Sequence, residues 1–267
     1  DLLPFIGRPY MEREHSSPMY RGPRLFVESK FTSGQAINLH REQARYLLTV
    51  MRRSTGSSVR VFNGMDGEWS ATLVQTGRDK ASLNLEQKIR VQVVTEGPWL
   101  AFAMIKRSPT ELIVEKATEL GVSVLQPVRT SRSNSDRLNC QRLSRIAIEA
   151  AEQSERMDTP KIKEPTNLSE LLSNWPKERL LIVGDETGAS PPICDALKGK
   201  AGTSYGLLIG PEGGFTSDEL NGFNKISFVQ KISLGPRVLR AETAAIVSLA
   251  LAQATIGDFD TIRGNEG

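Results

Sequence analysis

The chain has 267 residues, 39% of them hydrophobic and 24% charged, with a formal net charge of +3. That length suits two domains or one large one, and that balance excludes an intrinsically disordered chain. No run approaches the roughly 20 apolar residues of a membrane-spanning helix, and two cysteines (Cys140, Cys194) with two histidines (His15, His40) at no close spacing leave no disulfide framework or structural zinc site.

Residue 1 is Asp, which reads as a fragment or a processed product. Residues 1–23 carry Pro4, Pro9, Pro18 and Pro23 without periodicity, so they read as a flexible arm without a secretory apolar region. A remnant of an organellar transit peptide is an open alternative. From Arg24 to about Arg90, strand-sized runs follow one another: "RLFVES", "QAINL", "SVRVFN", "EWSATLVQ" and "ASLNLEQ". Turn signals such as Asn63-Gly64 and Asp66-Gly67 separate them. One helix, "HREQARYLLTVMRR", interrupts them with Ala44, Leu47, Leu48 and Met51 on one face. This pattern predicts a small β-barrel over 24–92. Residues 1–90 hold 14 Lys+Arg against 9 Asp+Glu, while the remainder holds 20 against 22. The basic first third is either a module that contacts a polyanion or a solvated basic surface.

From about Trp99 strands and helices alternate. "WLAFAMI", "VSVLQPV", "RLLIVGDE", "YGLLIGPE" and "ISFVQKISLG" are near-continuous apolar strands. "PTELIVEKATELG", "DRLNCQRLSRIAIEAAEQSER" and "AETAAIVSLALAQATIG" are helices. The prediction for 93–267 is an α/β domain, a parallel sheet covered on both faces. Ligands of such sheets sit at the carboxyl ends of the strands. Three Gly-rich loops fall there: "GDETG" (184–188), "GPEGGF" (210–215) and "LGPRVLRAET" (234–243).

Neither a P-loop nor a dinucleotide fingerprint is present, because the lysine and the glycine spacing are missing. The loops instead offer close backbone approach at their glycines. Leu234, Val238 and Leu239 can sandwich a flat ring, and carboxylates Glu212, Asp185 and Glu186 favour a cation. An adenine bearing a sulfonium suits that combination better than a triphosphate does. Tight turns shaped by glycine alone are the plain alternative.

"LLIGPEGGFTSDEL" followed by "ISLGPRVLRAETAAIVSLALAQ" resembles the carboxy-terminal signature of the SPOUT-class family that methylates small-subunit (16S-type) ribosomal RNA at uridine N3. "KRSPTELIVEKATELGV" and "EAAEQSERMDTP" are similar to its first helix and its Glu-Gln-x-x-Arg segment. "RLFVES" and "HREQARYLLTVMRRSTGSSVRVFNG" resemble its PUA-like β-barrel. The chain departs from the family in having Glu155 where glycine is common.

The resemblance implies a deep trefoil knot at about 180–257, S-adenosylmethionine as cofactor, no metal, no membrane, a homodimer and small-subunit ribosomal RNA as partner. The final Ala-rich helix reads as an interface element or as core. The implied cofactor set is Gly184, Asp185, Glu186, Ile209, Gly210, Pro211, Glu212, Gly213 and Gly214, with Ser233, Leu234, Gly235, Val238, Leu239, Arg240 and Thr243. The implied catalytic set is Arg240, Glu242, Arg132, Gln153 and Arg156. Arg240 stabilises a uracil anion or forms a salt bridge to Glu242 or Glu212; Glu242 is a base or a helix N-terminal carboxylate. Phosphate contacts fall to Arg41, Arg45, Arg52 and Arg53, with Lys106 and Lys116. The compartment follows the source: cytoplasm in a bacterium, chloroplast or mitochondrion in a eukaryote. Two other readings stay open, a relative that modifies a different RNA position and a non-catalytic RNA-binding assembly factor.

Overall fold

The computed structural model describes residues 22–93, 96–134 and 137–259, so nearly all of the arm expected at 1–23 lies outside the described residues. The chain divides into two compact units, Asp1–Val93 and Val94–Gly267.

In the first unit β1 (Arg24–Phe26), β2 (Ala36–Asn38), β3 (Ser58–Phe62), β4 (Glu68–Gly77) and β5 (Lys80–Arg90) form one sheet in the order β1-β3-β4-β5-β2. β1 runs parallel to β3, and the other pairs are antiparallel. The expected barrel is thus a five-stranded sheet whose ladder, among the described residues, does not close between β1 and β2. Alternation places Val59, Val61, Ala71, Leu73, Leu83 and Leu85 on one face, against Ala44 and Leu47 of the helix. On β4, Glu68 is fully buried and pairs with Arg24 at 2.5 Å, Arg90 at 3.1 Å and Arg60 at 3.6 Å.

The expected helix over 40–53 is shorter and of two kinds. α1 (Arg41–Arg45) runs into a π-helical turn (Tyr46–Val50), closed by Met51 N–H to Tyr46 O at 2.9 Å. Arg52 then takes φ +51°, which ends the helix. A wider turn followed by a left-handed residue breaks the arginine stripe. Arg41 and Arg45 share a face, whereas Arg52 and Arg53 lie beyond the helix end.

The second unit is a wholly parallel sheet. Its order is β12 (Val229–Ile232), β10 (Leu180–Gly184), β11 (Tyr205–Ile209), β6 (Trp99–Ala103), β7 (Val124–Arg129) and β8 (Lys161–Ile162), with β9 (Thr166–Asn167) also on β7. Alternate residues feed two cores. Leu100, Phe102, Ile182, Leu207 and Ile209 pack with α2 (Arg107–Glu119), α3 (Cys140–Ser154), α5 (Ile193–Leu197) and α7 (Ala241–Ile256). Ala101, Leu181, Val183 and Leu208 pack with α4 (Leu168–Ser173), α6 (Ser217–Phe223) and Trp175. The sequence reading missed α4, α5, α6, β8 and β9, which are all seven residues or shorter. For α6 the signal was present: Thr216 and Glu219 form a capping box.

Local chemistry sets the helix ends. α2 stops at Gly121 (φ +84°), where Gly121 N–H reaches Thr118 O and Val122 N–H reaches Ala117 O. Asn139 caps α3 by accepting from Arg142 N–H at 3.0 Å. α3 ends on Glu155 at φ +61°, so this chain keeps the left-handed turn that glycine favours despite its carboxylate side chain. Gln253 of α7 is 3% exposed. It donates to Leu120 O at 2.9 Å and accepts from the Tyr205 hydroxyl at 3.0 Å.

Two stability outcomes follow from these contacts. Gln253→Ala strands a half-buried carbonyl and a buried hydroxyl, and should lower unfolding free energy by about 1–3 kcal/mol in urea titration. Glu155→Gly relieves the left-handed strain and should raise it by about 0.5–1 kcal/mol.

Candidate active site

Parallel strands bring their carboxyl ends to one edge of the sheet, and the loops after β7, β10, β11 and β12 meet there. After β10, Asp185 is 4% exposed and is used internally. It accepts from Thr187 N–H (3.0 Å), Thr187 Oγ1 (2.7 Å) and Ser190 Oγ (2.6 Å), and Lys231 Nζ lies 3.7 Å away. Burial pushes its carboxyl up, but these hydrogen bonds and Lys231 outweigh burial and hold it below the usual Asp value. Asp185 therefore shapes its own loop, which differs from the ligand-facing carboxylate the sequence suggests.

After β11, the turn 211–214 closes through Gly214 N–H to Pro211 O at 2.9 Å. Gly214 has φ +66°, and a Cβ there would fall inside the Glu186 carboxylate, so Glu186 packs on this turn. Gly210 lies under the Phe215 ring, with Cβ space of 3.0 Å. Gly213 is different: its φ is ordinary, and a Cβ would meet Arg132 Cδ at 3.4 Å, a normal contact. The N–H groups of Glu212 and Gly213 donate to no protein acceptor among the described residues.

After β12, Ser233 N–H bonds Pro191 O, Ile193 N–H bonds Ser233 O, and Gly235 (φ +100°) turns the chain. Leu234 packs against the core and Leu239 is half-buried. Val238 is 79% exposed, unlike those two. Arg240 caps α7 from the outside and is exposed. Among the described residues it forms no salt bridge, neither to Glu212 nor to Glu242. Glu212 instead accepts from Asn134 Nδ2 at 2.9 Å. Glu242 lies in the first turn of α7, where the helix dipole favours a carboxylate.

Beside these loops lies a cavity of about 1190 Å³ between α2 and α3, lined by Lys106, Ser108, Gln153, Glu212, Arg240 and Glu242 among others. It meets the expected cofactor residues only at Glu212 and Arg240, so it adjoins the glycine cradle and is not the cradle itself. Hydrogen bonds from Arg142 and Arg107 hold Glu111 on its wall at a pKa of about 2.

The remaining expected residues fall in three places. Gln153, Arg240 and Glu242 converge on the cavity. Arg132 reaches the β11 loop, with Nη1 on Gly213 O at 2.6 Å. Arg156 lies elsewhere: it donates to Thr118 O and Val122 O at 2.8 Å each and pairs with Asp158, which fixes the carboxyl end of α2. Lys116 is held by Glu115 at 2.7 Å and Glu119 at 2.8 Å, so its charge is neutralised locally. Arg45, Arg52 and Arg53 are exposed, and Arg41 pairs with Asp79 at 3.3 Å. Sequence reading overlooked Ser131 and Asn134 in the loop after β7. The signal was the polar run "TSRSN" directly after an apolar strand.

Residues 96–253 match the family model for an RNA methyltransferase domain, and residues 39–86 that for an RNA methyltransferase PUA domain. The ribosomal RNA small subunit methyltransferase E of Rickettsia conorii is 31% identical over 228 residues, covering 85% of this chain and 93% of the relative. That of Synechocystis sp. is 30% identical over 260 residues, covering 96% of this chain and 85% of the relative. Among solved structures, Legionella pneumophila Lpg2936, in complex with the bound cofactor SAM, gives a TM-score of 0.77 at 27% identity, covering 88% of this chain and 98% of that one. A ribosomal RNA small subunit methyltransferase E from Neisseria gonorrhoeae, bound to S-adenosyl methionine, shares the fold at TM-score 0.76 and 24% identity, covering 90% and 100%.

The α/β domain with its looped edge, preceded by a PUA-like domain, defines an RNA methyltransferase. Within that class, the chain belongs to the ribosomal RNA small subunit methyltransferase E family.

The two glycines of the turn are unequal. Gly214→Ala should cost about 1–3 kcal/mol from positive φ and collision, whereas Gly213→Ala should stay within about 1 kcal/mol of the parent. Urea unfolding of the two variants measures the difference.

Proposed function

We propose that this chain transfers a methyl group from S-adenosylmethionine to N3 of a uridine in small-subunit ribosomal RNA. The observation that carries the reading is the convergence of three glycine-bearing loops on adjacent parallel strands, beside a cavity holding Arg240, which has no salt-bridge partner among the described residues.

The residues fit the cofactor. The N–H groups of Glu212 and Gly213, which have no protein acceptor among the described residues, suit ligand acceptors. Leu234 and Leu239 offer apolar surface for an adenine. When bound, S-adenosylmethionine supplies an electrophilic methyl carbon on a sulfonium. The protein must hold uracil N3 in line with it and accommodate the N3 proton's departure. Arg240, exposed at the cavity wall, can stabilise negative charge on a uracil carbonyl. Glu242 and Gln153 line the same cavity and can orient the base.

The reading includes a homodimer and a knotted carboxy-terminal segment. The bonds of Ser233 to Pro191 and Ile193, which run the chain after β12 past the segment after β10, support the knot. α7 supports the dimer: it is apolar nearly all round, and Ile246, Val247, Ala250 and Leu251 are only half-buried. Phosphate contacts are assigned to Arg45, Arg52, Arg53 and Lys106, which are exposed, and to Arg41. The compartment is a bacterial cytoplasm, or a chloroplast or mitochondrion in a eukaryotic source.

Titration calorimetry with S-adenosylmethionine, followed by nucleoside mass spectrometry of treated small subunits and free rRNA, tests the reading. Cofactor binding and new N3-methyluridine are expected. Another methylated nucleoside in its place rejects N3, and absence of cofactor binding rejects the enzyme. Arg240→Ala should lower the single-turnover rate about 100-fold, with cofactor affinity changed only a few-fold.

A further inference from the structure

We infer that the loop after β7 is a clamp that sets the shape of the cofactor turn, with Arg132 and Asn134 as its positioning residues. The inference rests on the cofactor reading above and gives Arg132 a role other than contact with the base.

Four bonds join segments about 80 residues apart in sequence. Arg132 Nη1 donates to Gly213 O at 2.6 Å and to Phe215 O at 3.5 Å. Asn134 Nδ2 donates to Glu212 Oε2 at 2.9 Å, and Ser131 N–H donates to Glu219 Oε1 at 2.9 Å. The clamp is itself anchored. Asn134 N–H reaches Met104 O at 3.2 Å, just past β6, and Ser133 Oγ accepts from Thr130 N–H at 2.9 Å. The far end is fixed as well, because Glu219 also accepts from Thr216 N–H at 2.7 Å and Phe215 stacks edge-on to Phe223 at 5.1 Å.

This arrangement sorts the polar groups of the turn. A guanidinium takes the Gly213 and Phe215 carbonyls, and an amide takes the Glu212 carboxylate. Among the described residues the N–H groups of Glu212, Gly213 and Phe215 are left without a protein acceptor, and those of Glu212 and Gly213 are donors a ligand would need. The stem of Arg132 lies along the face of Gly213 where a side chain would stand, 3.4 Å from the ideal Cβ position. The glycine thus leaves space for the clamp on one side, while its N–H stays available. Such preorganisation acts on affinity by removing the cost of ordering the turn on binding. A residue that acts this way changes cofactor affinity and leaves the chemical step at saturation alone.

The test compares Arg132→Ala, Arg132→Lys and Asn134→Ala with the parent, measuring S-adenosylmethionine dissociation constants by calorimetry and single-turnover rates at saturating cofactor. Arg132→Ala should weaken cofactor binding about 10- to 100-fold, the scale of a lost charged hydrogen bond, with a saturated rate within about threefold. Arg132→Lys should recover part of the affinity, since an ammonium reaches one carbonyl but does not present a fork. Asn134→Ala should weaken binding several-fold, and it serves as the main readout should Arg132→Ala fail to fold. Unchanged cofactor affinity in these variants overturns the clamp, and a fall confined to the saturated rate or to RNA affinity assigns Arg132 to the substrate. If the parent itself binds no cofactor, the enzymatic reading fails first and separately.

Discussion

Every functional element of the second unit depends on the direction of its sheet. Parallel strands put all carboxyl ends on one edge, so four connections that are far apart in sequence must turn within reach of one another. The loops after β7, β10, β11 and β12 consequently bond to each other as well as to their own strands: Glu186 packs on Gly214, Ser233 bonds Pro191, and Arg132 bonds Gly213. An antiparallel sheet would divide these turns between two edges and would leave no such network.

That network divides polar residues into those that build the site and those left to act in it. Asp185 and Glu219 satisfy neighbouring N–H and hydroxyl groups; burial raises both carboxyls, yet the hydrogen bonds hold both below their ordinary values. Arg156 satisfies the carbonyls at the end of α2. Arg240 is left over, a cation at a cavity wall with no carboxylate partner among the described residues. A charge without a structural task is more informative about chemistry than a charge in a conspicuous motif.

The strands, the three long helices and the three glycine loops were legible because apolar runs and turn residues are local signals. β10, β11 and β12 start within about three residues of the runs that announce them. The short helices α4 and α5 carry too few turns to show a period, and β8 and β9 are two-residue pairings that only their partner strand defines. The fate of individual polar residues was not legible. "GDETG" gives no sign that Asp185 faces inward and Glu186 lies against Gly214, because both facts depend on residues of other strands. The same holds for Lys116, whose partners at 115 and 119 are local but whose neutralisation depends on rotamer and burial. The π-helical turn at Tyr46–Val50 was hidden for a related reason, since the apolar spacing over 44–51 suits an α-helix equally well.

The contacts of Gln253 bear on how the second unit comes together. Its two partners lie 133 and 48 residues earlier in the chain, at the end of α2 and the start of β11. Nothing local to α7 supplies them, so this seal forms only after two large loops have closed. The helices can flicker into existence early, but their arrival does not complete the domain. Gln253 thereby ties the last helix to the carboxyl end of α2 and to the amino end of β11 at once.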